Sequence, residues 1–176
     1  METKDEWRRR VRQEAKKHTQ DERLAGSESV WRQVESLPEF QRAQVAAVYW
    51  SLPDEVFSLG FIEKWCGEKT LLLPVMGEGY ALELCEYRPG GVMNKAEFGI
   101  CEPEGRGFPP EQVDLIVVPG MAFDRQNQRL GRGKGYYDRL LCRMNAVKIG
   151  VCFGFQVFDG IPTDEHDVRM DRVVYG

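Results

Sequence analysis

The sequence predicts an α/β fold, a single three-layer α/β/α domain around a mainly parallel sheet, on three observations. Runs of consecutive apolar residues, VAAVYW at 45–50, VDLIVVPG at 113–120 and KIGVCFGF at 148–155, read as strands buried on both faces. Segments with helical spacing alternate with them, as crossover helices between parallel strands do. The chain has 176 residues, 42% of them hydrophobic, which fills one domain and is too short for two ordinary ones. A single domain over 1–176 is therefore expected.

From Lys4 to Lys17 there is neither Gly nor Pro, and Trp7, Val11 and Ala15 recur every four residues, which predicts a helix with one apolar face. Thr19 followed by Glu22 is a capping box, so a second helix is expected through Val30, Trp31 and Val34 to Leu37, weakened in its middle by Gly26. The strand at 45–50 ends in SLPD, and a helix is expected from Asp54 to Trp65. TLLLPVM at 70–76 and YALELCEY at 80–87 flank a GEG turn and read as two more strands. Gly and Pro then mark a loop-rich stretch to residue 112. After the strand at 113–120, GKGYYDRLLCRM has helical spacing through Tyr137, Leu140, Leu141 and Met144, and RVVYG near the C-terminus suggests a last strand.

Composition excludes several functional classes. A net charge of -4 argues against a surface built to hold nucleic acid. Positive charge is instead concentrated locally, with Arg125, Arg129, Arg132, Lys134 and Arg139 standing against Asp124 and Asp138. Five cysteines, scattered and mostly within apolar runs, read as reduced core residues, and two histidines supply zinc poorly. No apolar stretch approaches the roughly 20 residues of a membrane span, and the first thirty residues are strongly charged, so an unexported protein is expected. A soluble cytoplasmic protein is expected.

The chemistry concentrates in GRGKGYYDR at 131–139. A strand, a loop carrying Gly131, Gly133 and Gly135, and a helix starting at once afterward present backbone N–H groups to an anion, with phosphate the natural ligand. Glycines allow close backbone approach, while Arg129, Arg132 and Lys134 neutralise charge. The run is not a Walker loop, because Gly135 rather than Ser or Thr follows Lys134. Nor is it GxGxxG, since Tyr136 takes the last glycine position. Spacing alone supports an anion-binding loop and leaves an ordinary glycine-rich turn as the alternative.

The longer run GMAFDRQNQRLGRGKGYYDRLL at 120–141 resembles the signature of the 5-formyltetrahydrofolate cyclo-ligase family, also called the methenyltetrahydrofolate synthetases. SLPDEV, FGICEP and HDVRMD extend the resemblance along most of the chain. It implies a fold similar to that of the NagB/RpiA/CoA transferase-like proteins and a small monomeric enzyme. The implied reaction joins the formyl oxygen of 5-formyltetrahydrofolate to the ATP γ-phosphate, after which N10 displaces phosphate to give 5,10-methenyltetrahydrofolate. ATP is then a co-substrate and Mg²⁺ the implied cofactor.

Matched position by position, the resemblance implies ATP contacts from Lys4, Arg8, Arg129, Leu130, Gly131, Arg132, Gly133, Lys134, Gly135, Tyr136 and Tyr137. Arg132 and Lys134 fall nearest the transferring phosphate and are the implied catalytic residues. Asp138 is the implied magnesium ligand, and Asp167 and Asp171 stand as possible assistants. Trp50, Glu55, Phe98 and Tyr136 match folate-contacting positions. Arg9, Arg10 and Arg12 match nothing in the family pattern. Where the family commonly has glycine, this chain has Asn127, which also tolerates the left-handed conformation. An RNA-binding module is the rival, since GRGKGYY suits backbone contact and base stacking, although the acidic remainder counts against it.

Overall fold

The computed structural model describes residues 2–176. Helix α1 (Lys4–Ala15) and helix α2 (Gln20–Ser36) each begin with a complete capping box, Thr3 with Glu6 in the first and the expected Thr19 with Glu22 in the second. Gly26 does not interrupt α2. A Cβ there would stand 3.1 Å from the Phe153 ring and 3.2 Å from the Gly176 carbonyl, so the glycine lets the C-terminal strand approach the helix. Helix α3 (Pro38–Arg42) leads into strand β1 (Val45–Ala47).

The helix expected from Asp54 starts later, as α4 (Leu59–Trp65). Residues 51–58 are held in a loop by their own side chains. Ser51 and Ser58 exchange bonds from main-chain N–H to hydroxyl at 3.0 and 3.1 Å, and the Glu55 carboxylate accepts from the Leu52 N–H at 2.9 Å. These local acceptors compete with the helical ladder and win.

Strand β2 (Thr70–Met76) and strand β3 (Leu82–Glu86) form an antiparallel pair. The loop-rich stretch contains a small hairpin, β4 (Met93–Lys95) with β5 (Cys101–Pro103), that sequence periodicity did not reveal. Strand β6 (Leu115–Pro119) follows, then β7 (Ala122–Asp124) and β8 (Arg129–Leu130), helix α5 (Tyr136–Leu141), β9 (Val147–Cys152), β10 (Val157–Phe158) and β11 (Arg172–Tyr175). Asn127 is left-handed, φ 63°, in the β7–β8 turn. Asp124 holds that turn, its Oδ1 accepting the N–H groups of Gln126 and Gln128 at 3.0 and 2.9 Å.

The main sheet has the order β11-β9-β6-β1-β2-β3, parallel except at β3. Its strands alternate between two cores. Ala46, Leu71, Leu73, Leu115, Val117, Ile149 and Val151 meet Val30, Trp31, Val34, Phe40, Phe61 and Ile62 from α2, α3 and α4. Ala47, Leu72, Ile116, Val118 and Cys152 face the other way, onto Leu140, Leu141 and Met144. Continuous apolar runs in the sequence are thus strands buried on both faces, one under α2, α3 and α4 and the other under the short helix α5 together with Phe123 of β7. A second, three-stranded sheet, β10-β7-β8, carries α1 through a small core of Val11, Met121, Ala122, Leu130 and Ile161. Among the described residues no helix is long and apolar enough to cross a membrane.

Candidate active site

Strand β1 lies between β2 and β6, so the chain leaves it in one direction and later returns on its other side. In parallel sheets a crevice opens at such a switch point, outside the carboxyl ends of the strands. Here it is a cleft of about 1450 Å³, and Trp50 after β1, Met76 at the end of β2 and Gly120 after β6 line it.

All the sequence-picked site residues except one line this single cleft: Lys4, Arg8, Trp50, Glu55, Phe98, Arg129, Gly131 through Tyr137, and Asp138. The exception is Leu130. Its side chain is 1% exposed in the core beneath α1, and its carbonyl accepts from the Met121 N–H at 2.8 Å. An apolar residue on a two-residue strand between two charged or glycine positions turns inward because the pleat alternates. It supports the loop rather than lining the cleft.

The glycine-rich loop is built from within. The N–H groups of residues 132–135 make no hydrogen bond among the described residues, so they are available to an added acceptor. Gly133 and Gly135 hold φ of +107° and +69°, and a Cβ on Gly133 would lie 3.3 Å from the Arg8 guanidinium carbon. Arg8 in turn donates through Nε to the Gly131 carbonyl at 2.9 Å, which ties α1 to the loop.

Three of the cleft's cations are paired with its own carboxylates. Its lining has seven basic and seven acidic side chains. Lys4 contacts Asp164 at 2.6 Å and Asp167 at 2.5 Å, Arg129 contacts Asp138 at 3.1 Å, and Arg132 reaches Asp54 at 2.6 Å and Glu55 at 3.2 Å. Lys134 has no ion pair among the described residues; its ammonium stands 5.5 Å from the centre of the Tyr80 ring. Burial draws the Lys4 pKa down, and its bonds to Asp164 and Asp167 more than reverse this. Burial likewise opposes the charge on Arg132, and Asp54 and Glu55 outweigh it.

Glu55 is 9% exposed. Burial raises its pKa above the usual carboxylate range, and the Leu52 N–H and Arg132 only partly offset that effect. The buried hydroxyls of Tyr49 and Tyr137 are also pushed up, first by burial and then by the Glu55 charge. Asp138 accepts from Arg129 on one oxygen and from the Val168 N–H, at 3.2 Å, on the other. Each oxygen retains a lone pair.

Sequence reasoning missed some of the lining. Arg12 completes a Lys4, Arg8, Arg12 stripe on α1 and lines the cleft, and continuing the four-residue spacing would have found it. Cys142 is exposed in the cleft rather than in the core, whereas Cys85 and Cys152 are buried as expected; all five cysteines are free. Of the two acids behind Asp138, Asp167 lines the cleft, while Asp171 accepts from the Lys148 N–H at 2.7 Å beside β9. Phe98 lines the cleft from the β4–β5 hairpin and is 80% exposed.

The chain is similar to an NMR structure of Aquifex aeolicus 5,10-methenyltetrahydrofolate synthetase, with a TM-score of 0.87 and 40% identity over 97% of this chain and 88% of that one. A Mycoplasma pneumoniae 5,10-methenyltetrahydrofolate synthetase structure has the same fold, with a TM-score of 0.79 at 24% identity, covering 99% of each chain. The Haemophilus influenzae 5-formyltetrahydrofolate cyclo-ligase is 30% identical over 85% of this chain and 84% of its own length. With the family model matching residues 1–176 from end to end, this chain belongs to the 5-formyltetrahydrofolate cyclo-ligase family, whose named members are ligases.

Proposed function

We propose that the protein cyclises 5-formyltetrahydrofolate to 5,10-methenyltetrahydrofolate at the expense of ATP. The observation that carries this reading is the continuity of the cleft: the cationic glycine loop and the Trp50, Glu55 and Phe98 set share one wall-to-wall space. A γ-phosphate and a formyl oxygen can therefore meet in it.

The chemistry needs a better leaving group than an amide oxygen. The formyl oxygen attacks the γ-phosphorus, an O–P bond forms, and the bond to the ADP oxygen breaks. N10 then attacks the activated carbon, its proton is lost, and phosphate departs with the former formyl oxygen. Charge grows on the transferring phosphoryl oxygens, and fixed cations offset it. Lys134, without a carboxylate partner, is the group best placed to do so, with Arg132 beside it and the free loop N–H groups below. Lys4 and Arg8 hold the polyphosphate from the α1 side. Glu55 accepts hydrogen bonds from the pterin, between the aromatic faces of Trp50, Tyr136 and Phe98.

The donor set fits Mg²⁺. Among the described residues no three His, Cys, Asp or Glu side chains form a ready metal cluster, yet Mg²⁺ is ordinarily held by one or two carboxylates plus substrate phosphates. Asp138 supplies the carboxylate in this reading. The ion would neutralise phosphate charge in a cleft whose own charges already balance. A fold of the NagB/RpiA/CoA transferase-like family and a monomeric state complete the proposal, the former supported by the parallel sheet with its site at the switch point.

The test is direct. Purified protein with Mg-ATP should convert 5-formyltetrahydrofolate to the methenyl product, read by its absorbance, and no change at high enzyme concentration would sink the reading. Replacing Lys134 with Ala should reduce turnover by about 10²-fold or more, the range for losing one preorganised oxyanion partner. Its fold should persist, since the side chain occupies an exposed loop.

A further inference from the structure

The turn between β2 and β3 places an aromatic residue directly against the glycine-rich loop. It is closed by the Gly77 N–H bonding to the Ala81 carbonyl at 2.9 Å and the Ala81 N–H bonding to the Glu78 carbonyl at 3.2 Å. Gly79 and Tyr80 are both left-handed within it, with φ of 63° and 62°. A tyrosine adopts that conformation at a cost, and here the residue is 47% exposed with its ring near the segment 134–139. The ring meets three side chains from one short segment. Tyr136 lies edge-on with centroids 5.7 Å apart, the Lys134 ammonium is 5.5 Å from the ring centre, and the Arg139 guanidinium is 5.9 Å away. Arg139 also donates to the Lys134 carbonyl at 2.7 Å, so the loop's main chain and side chain are gripped together.

We infer that Tyr80 is a positioning residue, a cation–π clasp that holds Lys134 and the loop around it in the conformation that receives a phosphoryl group. The need for such a device follows from the loop itself. With glycine on either side of Lys134, the backbone does little to restrain it. Lys4, Arg129 and Arg132 are fixed by carboxylates of the cleft, whereas a carboxylate beside Lys134 would cancel the charge the transferring phosphate requires. An aromatic face restrains an ammonium and leaves its charge in place. The inference rests on the proposed ATP reading for its catalytic consequence, but the clasp itself can be examined without turnover.

Tyr80→Ala should lower kcat/KM for ATP by roughly tenfold, as expected from two exposed cation–π contacts and one aromatic pair, while KM for the folate moves less than about twofold. Tyr80→Phe should stay within about twofold of the parent, since the contacts use the ring and not the hydroxyl. Neither variant should shift the thermal midpoint. The activity-independent arm is NMR of the full chain with labelled lysine. The Lys134 side-chain resonances should be displaced by the Tyr80 ring current, lose that displacement in Tyr80→Ala and keep it in Tyr80→Phe. A Lys134 signal unaltered by Tyr80→Ala overturns the clasp whatever the enzyme does. So does wild-type kcat/KM in Tyr80→Ala, or a Phe variant as impaired as the Ala variant. A parent protein inert toward 5-formyltetrahydrofolate that still shows the ring-current effect supports the clasp and removes the proposed reaction.

Discussion

Glu55 is the residue at which the two halves of the cleft meet. It accepts from the Leu52 N–H on one oxygen and from Arg132 on the other, and it is nearly enclosed. Burial dominates its protonation and raises its pKa. The sign for stability follows: folding favours the protonated carboxyl, so this contribution is fully present below the unfolded-state pKa and is lost as pH rises through the folded one. Glu55→Gln removes the titration. The variant's thermal midpoint relative to the parent should therefore increase as pH rises from 5 to 8. A difference that is flat with pH, or that moves in the parent's favour, would show that Arg132 and not burial governs the group. On the proposed reaction, activity should fall in the same variant at every pH, because a neutral amide does not hold Arg132 in an ion pair and has one acceptor oxygen in place of two.

At the scale of elements, β9 shows how the two sheets are joined. Gly150 sits in this strand, and a Cβ there would come within 2.5 Å of the Phe123 ring from β7 and 3.1 Å of Met170. Phe123 is fully buried, so it has little room to move. Gly150→Ala should cost about 1–3 kcal/mol, the usual range for overpacking a core, measured as a lower urea midpoint with unchanged slope. That glycine was visible in KIGVCFGF, but its reason was not, because the ring it accommodates comes from a strand too short for periodicity to detect. The same limit explains the small sheet and the β4–β5 hairpin, whose strands are two or three residues long. Helices α1 and α2 and the buried strands were legible because caps and apolar runs are local signals. The early start assigned to α4 failed where serine and glutamate side chains bonded their own backbone. In the site, the glycine loop was legible as a contiguous string. Tyr80 was not, since its role depends on a turn meeting residues more than fifty positions away.

Across the whole molecule, α1 is a wall of the cleft that joins a small apolar anchorage to polar ties with other cleft residues. Its apolar anchorage is the small core around Val11, with Trp7 edge-on to Phe158 at 4.9 Å, separate from the two large cores of the main sheet. Its polar ties are Lys4 to Asp164 and Asp167 and Arg8 to the Gly131 carbonyl. Elements with few buried apolar contacts open locally at lower free energy than the global transition. A polyphosphate bridging Lys4 and Arg8 to the loop at 131–135 would bind only the closed arrangement, and ligands stabilise the state they bind. Hydrogen exchange should therefore slow on adding Mg-ATP within α1, in the loop at 131–135 and in the turn at 77–81, with little change in α2, α3 and α4 on the far face of the sheet. Lys4→Ala with Arg8→Ala should remove the protection in α1 while leaving that of the loop partly in place, because Lys134 and the loop N–H groups still hold the phosphates. Equal protection over the whole chain would instead mean that α1 unfolds only with the rest, and that its place on the cleft is set by its core and not by the nucleotide.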